Sequence, residues 1–186
     1  IIDDILDVSK IEARRLTLDR VPFIVRDTIE DSVKLFGPRA DQKGLELSCR
    51  IAPDVPGVII GDPGRLRQIG LNLVSNAVKF TAHGQVEVRV GFAAQGWSAD
   101  HPVLNAAPQV LSFAVEDTGI GVALEKQRLI FEAFQQADAG TSRKYGGTGL
   151  GLAISRELAV LLGGEIKLLS VFGEGSTFTL YLPLHY

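Results

Sequence analysis

A chain of 186 residues with 46% hydrophobic side chains can bury one core of ordinary size plus a short appendage. Its net charge of −3 leaves no basic excess to neutralise phosphates, which argues against a nucleic-acid or anionic-membrane surface. The lone Cys49 excludes a disulfide framework and a multi-cysteine zinc site, and with no bilayer-length apolar span or signal-peptide pattern the expected setting is the cytosol, or the cytosolic piece of something larger.

Residues 1–16 set apolar side chains at 1, 2, 5, 6, 8, 11 and 16 with charges between them, the pattern of an amphipathic helix with a wide apolar face. So short a helix needs a partner: its own domain, or a bundle whose other helices lie upstream or on a second subunit. The chain opens in mid-pattern on Ile1-Ile2-Asp3-Asp4, as an excised fragment would. Residues 17–23, with Pro22, read as a short extended linker. A second amphipathic helix is expected over 25–43, bent or interrupted at Gly37-Pro38 and stopped by Gly44. Residues 45–51 read as a strand, and 53–61 as a turn holding the brief apolar run Val58-Ile59-Ile60.

The stretch 62–81, DPGRLRQIGLNLVSNAVKFT, organises the rest. Asp62 can cap a helix, and Pro63 suits a first turn, where a missing N–H costs nothing. Leu66, Ile69, Leu73 and Ala77 form an apolar stripe, while Arg65, Gln68, Asn72, Asn76 and Lys79 form a polar one. An arbitrary polar stripe is a solvated helix face. Asparagines among so many apolar neighbours instead ask for a hydrogen-bonding or ligating partner.

Residues 85–92 and 110–116 alternate as strands. Residues 93–109 between them, with the only tryptophan, Trp97, read as a variable surface excursion. Asp117-Thr118-Gly119-Ile120-Gly121 follows, then a segment with a polar tip over 122–146. Gly147-Thr148-Gly149-Leu150-Gly151 leads into a helix through Leu162, ended by Gly163-Gly164, and strands at 165–171 and 176–182 close the chain. This succession predicts an α+β fold, a two-layer sandwich of one mixed sheet of about five strands with three helices on one side. An N-terminal stub of a bundle helix precedes it.

Two of these loops suit a nucleotide. Glycines that abut a helix start offer free N–H groups and a favourable dipole to phosphate oxygens. Neither a Walker sequence nor a dinucleotide fingerprint frames them. An ionised aspartate only accepts hydrogen bonds, so Asp117 suits the exocyclic amine of adenine, with Gly119 and Gly121 leaving room for the base. Taken singly, each could be an ordinary turn.

Together, Asn72-x-x-x-Asn76-x-x-Lys79, then Asp117-x-Gly119-x-Gly121, then Gly147-x-Gly149-x-Gly151 closely resemble the ATPase and kinase superfamily of sensor histidine kinases, DNA gyrase, heat-shock chaperones and mismatch-repair ATPases. The details favour the histidine kinases. Residues 72–81 resemble their asparagine box, Phe131-Glu-Ala-Phe134 their phenylalanine box and Gly173-Glu-Gly-Ser-Thr-Phe178 a third glycine box; residues 1–17 resemble the end of a dimerisation helix in hybrid-type sensors.

The resemblance implies a catalytic domain at 18–186 with a flexible lid at 122–146 that binds ATP and Mg²⁺. Asn76 is implied as the metal ligand, and Asn72, Asn76 and Lys79 as the catalytic set. Lys79, Phe80, Asp117, Gly119, Gly121, one or other of Arg143 and Lys144, Gly147, Thr148, Gly149, Leu150, Gly151 and Thr177 are implied around the nucleotide. Gyrase-like ATPases carry a water-activating glutamate where this chain has Asn72, which cannot act as a base, so transfer to an external nucleophile is favoured over hydrolysis.

His83, His101 and His185 do not fit the phosphoacceptor motif, so the resemblance puts the acceptor upstream, on the protein's own dimerisation domain. A response-regulator receiver domain is the implied partner in the pathway, with no nucleic acid. The full-length protein is implied to be a homodimer, cytoplasmic or the cytosolic part of a membrane-anchored sensor. The rival readings are a gyrase- or chaperone-type ATPase, a degenerate docking module, which the intact Asn76 and Asp117 oppose, and an anti-sigma-factor serine kinase, which residues 1–16 fit poorly.

Overall fold

The computed structural model of the protein describes residues 2–132 and 150–184. Helix α1 (Ile2–Glu12) is followed by β1 (Val21–Ile24), α2 (Val25–Lys34), α3 (Gly37–Lys43), β2 (Glu46–Ile51), β3 (Val58–Gly61), α4 (Pro63–Phe80) and β4 (Gln85–Ala93). Then come α5 (Pro102–Ala106), β5 (Val110–Asp117), two 3-10 turns at Leu124–Lys126 and Leu129–Phe131, α6 (Gly151–Leu161), β6 (Glu165–Val171) and β7 (Gly175–Pro183). Five of the strands make one mixed sheet in the order β2-β4-β5-β7-β6, in which only β2 and β4 run parallel. The fold is α+β, as the sequence predicts.

Strand alternation decides which side chains meet the helices. Val86, Val88 and Val90 of β4, Leu111, Phe113 and Val115 of β5, and Phe178, Leu180 and Leu182 of β7 point to one face. There they pack with Val25, Ile29 and Val33 of α2, Leu66, Ile69, Leu73 and Ala77 of α4, and Ile154 and Leu158 of α6. Each of these Val, Leu, Ile and Phe side chains contributes about 1.5–3 kcal/mol on burial. The predicted apolar stripe of α4 is therefore the one buried.

The interruption expected at Gly37-Pro38 is present: α2 ends at Lys34, Pro38 sits in the first turn of α3, and Gly44 closes α3 at φ +68°. Two other expectations change. The linker and turn around Val21 and Val58 are strands β1 and β3, paired antiparallel as a separate ribbon with Phe23 opposite Ile59. Runs of four residues carry too little periodicity to announce a strand. The excursion over 93–109 is fastened to the sheet's other face: Trp97 meets Tyr181 edge-on at 5.7 Å and donates Nε1–H to Asn105 Oδ1 at 2.8 Å. The Ser98 N–H donates to the Glu165 carboxylate at 3.1 Å, and Leu104 of α5 is buried.

Helix α1 packs Val8 and Ile11 on the core and leaves Ile2, Ile5 and Leu6 outward, with Ile2 75% exposed. Its Asp7 carboxylate accepts from Gln68 Nε2 at 2.7 Å and lies 3.5 Å from Arg65 of α4.

Candidate functional site

The C-terminal half of α4, the loop after β5, the start of α6 and the start of β7 converge on one end of the sheet. Helix α4 is anchored at its other end by Asp62, whose carboxylate accepts the Arg65 N–H at 3.0 Å and the Asp19 N–H at 2.9 Å. This is the cap the sequence predicts.

The polar stripe of α4 is not a solvated face. Arg65 and Gln68 engage Asp7, as above. Asn72 donates its amide to the Gly151 carbonyl at 3.1 Å and to Ser155 Oγ at 3.0 Å. One turn on, Asn76 is half-buried and its carboxamide has no hydrogen-bond partner among the described residues. The Lys79 ammonium lies 5.6 Å from the centre of the Phe80 ring. Burial, and secondarily the charge of Arg39, holds its pKa below the ordinary lysine value. Lys43 of α3 donates to the Val78 and Lys79 carbonyls at 2.6 and 3.2 Å, a cation at the negative end of the α4 dipole.

Asp117 closes β5 and is only 7% exposed. The N–H groups of Gly119, at 2.9 Å, and of Ser176 and the hydroxyl of Thr81 face its carboxylate. Burial outweighs these hydrogen bonds and raises its pKa above the ordinary value. A side chain at position 119 would overlap the Phe80 carbonyl oxygen, so only glycine lets the loop run this close to α4. Gly121 takes φ +69° against the Val171 carbonyl. The Ile120 N–H donates to the Phe80 carbonyl at 3.2 Å, fastening the loop to the end of α4. The result is a partly desolvated carboxylate framed by backbone next to the end of α4, the helix that carries a carboxamide without a partner among the described residues and an ammonium.

Asn72 meets Gly151, Phe80 meets Gly119 beside Asp117, and Asn76 and Lys79 lie between Asn72 and Phe80 on α4. Arg143, Lys144, Gly147, Thr148 and Gly149, with Phe134, lie outside the described residues. Leu150 is fully buried, so its side chain belongs to the core and only its backbone can face a ligand. Thr177 is a correction. In the β5–β7 register it pairs with Glu116, and strand alternation sends both to the opposite face. Ser176, buried and paired with Asp117, lies on the Asp117 face instead.

The first part of the segment expected as a lid, residues 122–132, is bonded to the sheet. The Val122 N–H donates to Ser170 Oγ at 2.7 Å, and Gln127 Nε2 donates to the Val122 and Ser170 carbonyls at 3.0 and 3.1 Å. Ile130 is buried, and Phe131 meets Phe178 edge-on at 6.0 Å. Residues 122–132 are thus fastened to the β6–β7 hairpin. Thr81, Ser155, Ser176 and Lys43 escape sequence reasoning because each acts on a partner far along the chain. For Ser176 a signal exists: it is the serine of the stretch Gly173–Phe178 that resembles a third glycine box, one residue before Thr177.

Residues 61–186 match the family described as Histidine kinase-, DNA gyrase B-, and HSP90-like ATPase. The sensor protein GacS of Pseudomonas syringae pv. syringae is 46% identical over 184 residues, covering 99% of this chain and 19% of that protein. The signal transduction histidine-protein kinase BarA of Escherichia coli K12 is 42% identical with the same coverage. Hybrid signal transduction histidine kinase B of Dictyostelium discoideum is 40% identical over 98% of this chain and 9% of its own length. The chain therefore spans less than a fifth of these relatives. Among solved structures, full-length ShkA in complex with AMPPNP superposes with a TM-score of 0.80 at 33% identity, covering 98% of this chain and 35% of that one.

Proposed function

Because this chain belongs to the histidine kinase-, DNA gyrase B- and HSP90-like ATPase family, we propose that it binds Mg·ATP at the convergent end of the sheet and hands the γ-phosphoryl to a histidine on its own dimerisation domain. The observation that carries this reading is Asp117: a buried carboxylate at a strand end, walled by glycine backbone, suits an adenine amine that donates to it. The fit to a metal rests on Asn76, whose half-buried carboxamide has no described protein partner. Among the described residues no trio of His, Cys, Asp or Glu is placed to cage an ion. That suits Mg²⁺, which keeps waters and phosphate oxygens and needs few protein ligands. Bound there, the ion would neutralise phosphate charge.

Around it, Lys79 offers a cation to a phosphate, Phe80 a wall, and the backbone of Gly147, Thr148, Gly149, Leu150 and Gly151 donors; Arg143 or Lys144 takes the terminal phosphate. Asn72 supplies no base, and its amide already serves α6. Transfer breaks the bond from the γ-phosphorus to the ADP oxygen and forms one to an imidazole nitrogen. Residues 1–17 are read as the end of the dimerisation helix, and Ile2, Ile5 and Leu6 as the face that meets the bundle. Residues 18–186 are the catalytic domain. The full-length protein is read as a homodimer facing the cytoplasm, with a receiver domain as the next phosphate acceptor.

The test uses the chain with an upstream dimerisation helix restored. Labelled ATP should give an acid-labile, base-stable phosphoprotein, and Asn76→Ala should abolish labelling. Labelling that survives Asn76→Ala refutes the metal assignment. Steady hydrolysis by the chain alone, lost in Asn72→Ala, favours an ATPase cycle instead.

A further inference from the structure

The first turn of α6 is tied to α4 by a closed polar trio. Asn72 Nδ2 gives one proton to the Gly151 carbonyl and the other to Ser155 Oγ, at 3.1 and 3.0 Å. Ser155 gives its own proton to the same carbonyl at 2.8 Å. A carbonyl only accepts, so the group facing Gly151 must be the NH₂ of Asn72, and its orientation is fixed. Ser155 is fully buried, so its hydroxyl is satisfied within the protein.

We propose that Ser155 and Asn72 are positioning residues for the phosphates: they hold the amide-bearing start of α6 at a set distance from Asn76, one turn along α4 from Asn72. This inference rests on the Mg·ATP reading above. Its physical ground is a difference between contact types. Ile154 and Leu158 press α6 against the core, but apolar packing is non-directional and tolerates a sliding helix end. The trio is directional and sits in the turn whose free N–H groups would face phosphate. The two asparagines of the box then divide their labour. Asn72 fastens helix to helix, and Asn76 is left for the ligand.

Phosphate contacts and the metal should feel the loss of the trio, while the adenine pocket at Asp117 should not. Wild type, Ser155→Ala, Asn72→Ala, the double variant and Asn72→Asp are titrated with a magnesium complex of a non-hydrolysable ATP analogue, and separately with adenosine alone. Asn72→Asp keeps the shape but has no proton for Gly151. Each single variant should weaken the analogue roughly 5–20-fold and adenosine less than about twofold. The double variant should lie within about twofold of the worse single change, as for groups acting as one unit. Equal weakening of both ligands would reduce the trio to a structural staple and overturn the proposal. So would a silent Ser155→Ala beside a damaging Asn72→Ala, which would put Asn72 on the ligand itself. A wild-type protein that binds neither ligand refutes the nucleotide site and the positioning role with it, a result distinct from binding that ignores Ser155.

Discussion

Gly119→Ala is the sharpest test of how the site is framed. The new Cβ would stand 2.8 Å from Thr81 Oγ1 and 2.9 Å from Asp117 Oδ1, and would overlap the Phe80 carbonyl oxygen. That carbonyl is backbone at the end of α4 and is engaged by the Ile120 N–H at 3.2 Å, so it cannot swing aside as a side chain would. The loop must retreat, straining or breaking the Gly119 N–H bond to Asp117, now 2.9 Å. Overpacking costs about 1–3 kcal/mol and the lost hydrogen bond about 1 more. The expected destabilisation is about 2–4 kcal/mol, a fall in Tm of roughly 5–12 °C. Gly57→Ala is the control: a Cβ there meets nothing within 4 Å, so its stability should stay within about 1 kcal/mol of wild type. Thermal and urea denaturation read both variants, and a titration with the ATP analogue should show binding lost only in Gly119→Ala. If Gly119→Ala and Gly57→Ala unfold within about 0.5 kcal/mol of each other, the loop is not held against α4 as described.

Asp117 sets a pH dependence with a defined sign. Burial raises its pKa above the ordinary 3.8, so its contribution to stability is full below that value and is lost as pH rises through the folded pKa. The unliganded domain should therefore lose part of its stability over that acidic window, a slope that Asp117→Asn removes. Analogue affinity should move the opposite way, strengthening as the carboxylate ionises, and an affinity that does not rise over the same window in which the stability slope appears would count against Asp117 as the adenine acceptor. Lys43→Ala should cost about 1–2 kcal/mol in urea unfolding, because it removes a cation from the end of α4, and no change would deny that cap. Ser176→Val, on the Asp117 side of β7, should weaken the analogue roughly tenfold, about 1.4 kcal/mol, and Thr177→Val on the far face should leave it within twofold. The reverse order would put Thr177, not Ser176, beside the nucleotide.

The residues of α4 carry their own destiny. Its capping aspartate, its proline, and apolar stripe and polar stripe spaced by three and four are local facts, and helix geometry turns them directly into faces. The same holds for the alternating strands and for Asp117 with its glycines, because each motif encodes its chemistry within a few residues. What sequence order could not decide is which face of β7 meets Asp117, since that depends on the register between β5 and β7, and a shift of one residue exchanges Ser176 for Thr177. Nor could it show that Asn72 is occupied by Gly151 and Ser155, that Lys43 caps a helix thirty-five residues away, or that residues 122–132 are fastened to a hairpin. Those outcomes belong to long-range pairing. A side chain's chemistry is fixed by its type, but its availability depends on which neighbour the folded chain brings against it.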